Sequence, residues 1–129
     1  MTAINPVTDL SRDGAVAVIT LNNPPVNALS ERVREGLIAA LREAEADSAV
    51  QATLLICAGR TFIAGADISE FDKKLSGASL RDVENAMDAA KKPIVVAIHG
   101  TALGGGLETA MCGHYRVAVA SAKLGQPEV

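Results

Sequence analysis

The sequence has no tryptophan, only two phenylalanines (Phe62, Phe71), one tyrosine (Tyr115) and no excess of basic charge. With 12 Lys and Arg against 15 Asp and Glu, the formal net charge is -3. Neither an electropositive field nor a row of stacking platforms is present, so nucleic acid is not an expected partner. Long apolar runs are also missing. None exceeds five residues, against the roughly 20 that a membrane-spanning helix needs, so a membrane is not an expected partner either. Met1 to Pro6 hold no positive segment followed by an apolar one, which makes cytoplasm the default compartment. Cysteine is scarce. Cys57 and Cys112 lie in apolar surroundings without CxxC spacing, make neither a disulfide framework nor a metal site, and are expected to be buried free thiols.

What the chain does have is 49% hydrophobic residues over 129 positions, enough for the core of one domain or part of one. Residues 15–21 alternate and are rich in Val and Ile between Asp13-Gly14 and Asn22-Asn23-Pro24-Pro25, which predicts a strand bounded by turns. Ser30 is placed to cap a helix whose apolar face carries Val33, Leu37, Leu41 and Ala44, with Glu31 in its first turn. Residues 53–57 read as a short buried strand that ends before Gly59. Ser79 and Asp82 have capping-box spacing, Leu80, Val83, Met87 and Ala90 share the next helical face, and Pro93 stops that helix. Residues 94–98 form a β-branched run, the glycines at 100 and 104–106 lead into a short helix over 107–112, and residues 115–120 supply another strand. Strands alternating with helices predict an α/β domain with a largely parallel sheet. Tandem repeats and linkers are absent. Gly125-Gln126-Pro127-Glu128-Val129 reads as a chain arriving at a new element, the pattern of a domain that continues.

Glycines cluster after two of the buried strands, where open α/β sheets place their ligands. One stretch runs from Gly59 to Ile68 and the other from His99 to Glu108. Glycine lets a ligand approach backbone N–H groups, and a helix start favours developing negative charge, so the two loops together suit an oxyanion hole. Composition alone is equally compatible with two ordinary tight loops. No Lys-Ser or Lys-Thr pair follows the glycines and strict GxGxxG spacing is absent, which disfavours ATP and NAD sites.

Glu108 opens the helix after the triple glycine, and Glu128 follows one strand later. Paired carboxylates near apolar walls divide acid and base work when burial and repulsion separate their affinities for a proton. Taken singly, Glu108 also fits a first-turn residue facing the helix dipole, and Glu128 a solvated side chain. No GxSxG elbow offers a competing nucleophile, and His99 and His114 fit structural roles better than catalytic ones.

At these residues the sequence resembles the enoyl-CoA hydratase/isomerase, or crotonase, family. Ala64-Gly65-Ala66-Asp67-Ile68, the Gly100 to Glu108 stretch and Leu124-Gly125-Gln126-Pro127-Glu128 occur in the family's order and at similar spacing, as do Asn22 to Leu29 and Lys92-Pro93. The Ile98 to Glu108 run, with His114-Tyr115-Arg116-Val117-Ala118, is most similar to the hydratase part of bifunctional enzymes in which a 3-hydroxyacyl-CoA dehydrogenase follows.

The resemblance implies the N-terminal half of a crotonase (ClpP-like) fold built from repeated ββα units, with residues 1–129 forming one domain that is incomplete at its C-terminus. It implies an enoyl-CoA hydratase of fatty acid β-oxidation that adds water syn across 2-trans-enoyl-CoA, with Δ3-Δ2-enoyl-CoA isomerase activity from the same groups. In that reading the backbone N–H groups of Ala66 and Gly105 form the oxyanion hole, and Glu108 and Glu128 are the catalytic glutamates. Ala28, Ala64, Asp67 and Ile68 line the path of coenzyme A, which arrives as part of the substrate, and no metal or redox cofactor is implied. A eukaryotic source would imply a peroxisomal address. Family members are about twice as long, and their second half closes the acyl pocket and makes the oligomer. A homo-oligomer, or packing against that absent half, is therefore expected. The alternative from another class is a non-catalytic fragment that at most binds acyl-CoA or complements a partner chain. Two glutamates favour hydration or isomerisation over the family's chemistries that use one carboxylate.

Overall fold

The computed structural model describes residues 2–64 and 77–126. Three strands open the chain: β1 (Thr2–Asn5), β2 (Thr8–Asp13) and β3 (Val16–Leu21). Then follow α1 (Glu31–Ala46), β4 (Ala52–Cys57), α2 (Leu80–Asp88), β5 (Ile94–Ile98), β6 (Thr101–Leu103), α3 (Gly105–Met111), β7 (Tyr115–Ala118) and β8 (Lys123–Gly125). The main sheet has the order β1-β2-β3-β4-β5-β7. From β3 to β7 every neighbouring pair is parallel, while β1-β2 and β2-β3 are antiparallel. The expected mixed α/β architecture with a mostly parallel sheet is thus present, with one correction. The chain begins with an antiparallel meander, whereas the sequence pattern pointed only to the strand at 15–21.

Alternation in the three central strands decides which face is covered. Ala17, Ile19 and Leu21 of β3, Thr53, Leu55 and Cys57 of β4, and Ile94, Val96 and Ile98 of β5 are all buried on one side. Against that side lie Val33, Leu37 and Leu41 of α1 and Val83 and Met87 of α2. Burying a large aliphatic side chain contributes roughly 1.5–3 kcal/mol, so this layer supplies most of the driving force. The opposite face is less covered. There Ile56, Ala97, Val117 and Val119 border an open apolar hollow of about 280 Å³.

Both long helices start where the sequence places them. The Ser30 hydroxyl accepts from Val33 N–H at 3.3 Å, and the capping box of α2 closes with Asp82 N–H to Ser79 Oγ at 3.1 Å and Ser79 N–H to Asp82 Oδ2 at 2.9 Å. α2 ends at Asp88, before Ala90, as the approach to Pro93 requires. Lys92 finishes α1 from outside, its Nζ donating to the Ala44 and Asp47 carbonyls at 2.9 and 2.7 Å. Among the described residues no helix is long and apolar enough to cross a membrane.

α1 crosses the opening meander so closely that a Cβ at Gly36 would collide with Thr8 Oγ1 and come within 2.7 Å of Asn5 Nδ2. Alanine at an exposed helix position gains about 1 kcal/mol over glycine, whereas overpacking a buried contact costs about 1–3 kcal/mol. The clash wins because Thr8 is itself fully buried. We expect Gly36→Ala to lower stability by about 1–2 kcal/mol, read as an earlier urea midpoint; a later midpoint would show that the hairpin gives way.

Candidate active site

After β4 the chain passes through buried Thr61, Phe62 and Ile63 to Ala64, which forms a parallel bridge with Leu103. β6 also pairs in parallel with β8, through Thr101 to Lys123, Ala102 to Leu124 and Leu103 to Gly125. A second, small parallel layer therefore lies beyond the ends of the main strands, and α3 springs directly from it. Two glycines make this possible. Gly104 stands at φ 53° and ψ -120°, a region open in practice to glycine, and turns the chain from β6 into α3. Gly106 brings the helix so near the Ile63 carbonyl that an added Cβ would overlap its oxygen.

Gly105 is the first residue of α3 and Glu108 lies in its first turn, its N–H donating to the Gly104 carbonyl at 3.0 Å. The first N–H groups of a helix have no intrahelical acceptor, so Gly105 presents a donor that α3 itself does not consume. Its α-carbon is gripped from two sides: a Cβ there would lie 2.9 Å from Leu29 Cδ1 and 3.2 Å from Leu80 Cδ2. Glu108 is half-buried beside it. The loop containing Ala28 reaches the same place, because Ala64 N–H donates to the Val26 carbonyl at 3.1 Å. Four of the eight expected site residues, Ala28, Ala64, Gly105 and Glu108, thus lie on segments bonded or packed to one another. Ala66, Asp67, Ile68 and Glu128 lie outside the described residues.

Asn27 holds this junction together, a role that its place in the Asn22 to Leu29 run did not reveal. It is 2% exposed and has φ 53°, a left-handed conformation that asparagine tolerates better than most side chains. Its Nδ2 donates to the Ala58 and Thr61 carbonyls at 2.9 and 2.8 Å, and its Oδ1 accepts from Asn23 N–H at 2.7 Å. One side chain therefore ties the loop before α1 to the loop after β4. The readable signal was a buried-type Asn between a Pro-Pro turn, here with a cis Pro24-Pro25 bond, and a helix cap.

Both histidines serve the backbone, in line with their expected structural roles. His114 Nδ1 accepts from Ile94 N–H at 2.9 Å, and His99 Nε2 lies 2.8 Å from the Gly59 carbonyl. Cys57 is a buried free thiol as expected, but Cys112, at the C-cap of α3, is only partly buried. Burial pushes the Cys57 thiol up to about 12. Burial also raises Cys112, and the charges of Glu84, Asp88 and Glu108 add to the rise. Neither environment promotes a thiolate nucleophile. Among the described residues no three His, Cys, Asp or Glu side chains gather as metal ligands.

The family model described as Enoyl-CoA hydratase/isomerase matches residues 11–129. The chain belongs to that family. A Bacillus subtilis (strain 168) protein named "Probable enoyl-CoA hydratase" is 45% identical over 127 residues, covering 93% of this chain and 49% of that protein. The peroxisomal bifunctional enzyme of Danio rerio is 47% identical over 115 residues, covering 89% of this chain and 16% of that enzyme. Among solved structures, an enoyl-CoA hydratase/carnithine racemase from Magnetospirillum magneticum superposes with a TM-score of 0.87 at 36% identity, over 95% of this chain and 50% of that one. The chain thus has the crotonase fold, spanning about half the length of the Bacillus and Magnetospirillum proteins and 16% of the bifunctional enzyme, and its Gly104 turn and Glu108 sit within the residues the family model matches.

Two measurements check this geometry. Asn27→Asp keeps the shape and the acceptor but replaces the donor between two carbonyls, leaving them unsatisfied at about 1–3 kcal/mol each; we expect a loss on the order of 3 kcal/mol in chemical denaturation, and an unchanged midpoint would remove Asn27 from its role. For Cys57 the sign follows from its raised value: the unfolded thiol ionises near 9.0 and the folded one near 12, so this group's contribution to stability is complete below pH 9 and falls as pH rises towards 12. Native protein at pH 8 should therefore react with a thiol reagent at Cys112 and not at Cys57, a result read by peptide mass mapping.

Proposed function

We propose that this chain supplies half of the catalytic apparatus of an enoyl-CoA hydratase of fatty acid β-oxidation. The observation that supports this best is the junction itself, where the Gly105 N–H and the Glu108 carboxylate share the first turn of α3 beside the Ala64 segment. In the reaction, the thioester oxygen of a 2-trans-enoyl-CoA accepts from the N–H groups of Gly105 and Ala66. Negative charge that gathers on that oxygen as water attacks Cβ is stabilised there, more than in the ground state, which is what accelerates the step. Glu108 and Glu128 hold the water; one takes its proton as the hydroxyl bonds to Cβ, and the other gives a proton to Cα. The product is the 3-hydroxyacyl-CoA from syn addition. If no water is held, the same two carboxylates can carry one proton between carbons, which is Δ3-Δ2 isomerisation. Ala28, Ala64, Asp67 and Ile68 border the coenzyme A path. Hydration is redox-neutral and needs no electron carrier.

Residues 1–129 are, in this reading, one crotonase-like domain that is completed by further chain or by a partner protomer. The thinly covered sheet face and the exposure of Tyr115 and Val117 on β7 support that, since apolar surface of this kind is normally covered. The peroxisomal relative from Danio rerio supports a peroxisomal address for a eukaryotic chain.

The test is the loss of conjugated-enoyl absorbance when the protein meets crotonyl-CoA. We expect Glu108→Gln and Glu128→Gln each to lower kcat/KM by about 10²–10⁴-fold without moving the unfolding midpoint. Turnover unchanged by either substitution would refute the assigned roles. Hydration lacking in the folded 129-residue chain and restored by adding the second half of a relative would identify it as half of a divided enzyme. Hydration lacking in both would favour a fragment that only binds acyl-CoA.

A further inference from the structure

Arg34 has no part in the chemistry above, yet it lies in the interior of α1 at only 6% exposure. Burying a guanidinium is expensive unless its donors are satisfied, and a protein that keeps one is using its geometry. Among the described residues, Arg34 donates to two backbone carbonyls. One terminal nitrogen donates to the Leu29 carbonyl at 2.7 Å, and Nε donates to the Ala78 carbonyl at 2.6 Å. These carbonyls are far apart in sequence, one just before α1 and the other just before α2. Each belongs to a segment that leads straight to Gly105: among the described residues, Leu29 Cδ1 and Leu80 Cδ2 are the nearest groups that a side chain at Gly105 would meet.

We propose that Arg34 is a positioning residue for the oxyanion donor: its planar fork sets the spacing between the Leu29 and Ala78 backbones, and so between the two leucines that grip Gly105. The inference rests on the hydratase reading for its functional meaning, though not for its geometry. An oxyanion donor must stand within a few tenths of an ångström of where charge develops, and a displacement of about 1 Å can cost about a hundredfold in rate. Glycine at 105 contributes no side chain of its own to hold that position, so the holding comes from outside. Lysine cannot replace arginine here, because a single ammonium lacks the rigid fork needed to reach both carbonyls in fixed geometry.

The experiment compares wild type, Arg34→Lys, Leu80→Ala and the double variant in the protein as expressed from its gene. Amide hydrogen exchange is followed at Gly104 and Glu108, whose N–H groups are bonded to the Gly125 and Gly104 carbonyls. Exchange at Leu55 and Val96 in the central strands serves as the reference for global opening. We expect Arg34→Lys to speed exchange at Gly104 and Glu108 by about tenfold or more relative to the reference. On crotonyl-CoA, kcat should fall about 10- to 100-fold with KM within a few-fold of wild type. Leu80→Ala should give the same local signature, and the double variant should lose less than the product of the two, as expected for residues acting through one contact. Exchange that changes uniformly with global stability, or two effects that simply multiply, overturns the proposal. If Arg34→Lys fails to fold, Leu80→Ala decides alone, and unchanged exchange at Gly104 and Glu108 overturns it. A wild type without hydratase activity counts against the hydratase reading, while the exchange comparison still decides whether Arg34 positions this turn.

Discussion

Everything described at the candidate site depends on the absence of a side chain at Gly106. There α3 rests against the Ile63 carbonyl with no space for a methyl group, and this contact fixes how far the helix start stands from the segment that ends in Ala64. With any larger residue the helix would have to lift, and Gly105, one position earlier, would move with it. The Leu103 to Ala64 bridge, the Gly104 turn and the β6-β8 pairing then follow as the arrangement of backbone that lets the close approach occur. Steric exclusion therefore sets the position of the helix start, and hydrogen bonds hold it in place.

Around that contact, long-range polar staples do what the apolar core does not. The core under β3, β4 and β5 is continuous, but hydrophobic contact is non-directional and holds loops only loosely. Asn27 joins the Pro-Pro turn to the loop after β4, Arg34 joins the approach to α1 with the approach to α2, and Lys92 closes the end of α1 from the start of β5. Each uses a side chain on carbonyls from a segment distant in sequence. By comparison, the exposed Arg12–Asp47 pair at 3.7 Å contributes little, as surface ion pairs generally do.

How much of this was readable in advance follows from where the determining interactions lie. The strands β3, β4 and β5 and the helices α1 and α2 carry their own evidence in alternation, helical spacing and caps such as Ser30 and the Ser79-Asp82 box, so local pattern was enough. β2 is the opposite case. Its residues Thr8, Asp9, Leu10, Ser11, Arg12 and Asp13 include one large aliphatic side chain, and pairing with β3 makes it a strand. β6 and β8 are three residues each, β6 inside a stretch that reads as a glycine-rich loop, and both exist because they meet each other. In the site, Gly105 and Glu108 were legible because a motif places both on one turn. That Ala28 and Ala64 adjoin them was legible only through family resemblance, since it depends on the Ala64 to Val26 bond and on Asn27, neither of which leaves a periodic trace.

β7 is exposed along its whole length, with Tyr115 at 72% and Val117 at 56%. It also has little charge to guard it, because Arg116 turns its guanidinium back to the carbonyls of Gly113, Met111 and Ala110 at the end of α3. Among the described residues β7 is the last strand of the sheet, and strand edges of this kind are templates for other chains. On the proposed reading, in which further chain completes the domain, a nascent chain that has reached this strand displays an adhesive rim before that cover arrives. On that reading, the interval between the folding of β5 with β7 and the arrival of the cover is the period in which a holding chaperone protects the chain, and in which low temperature or slow expression improves its yield.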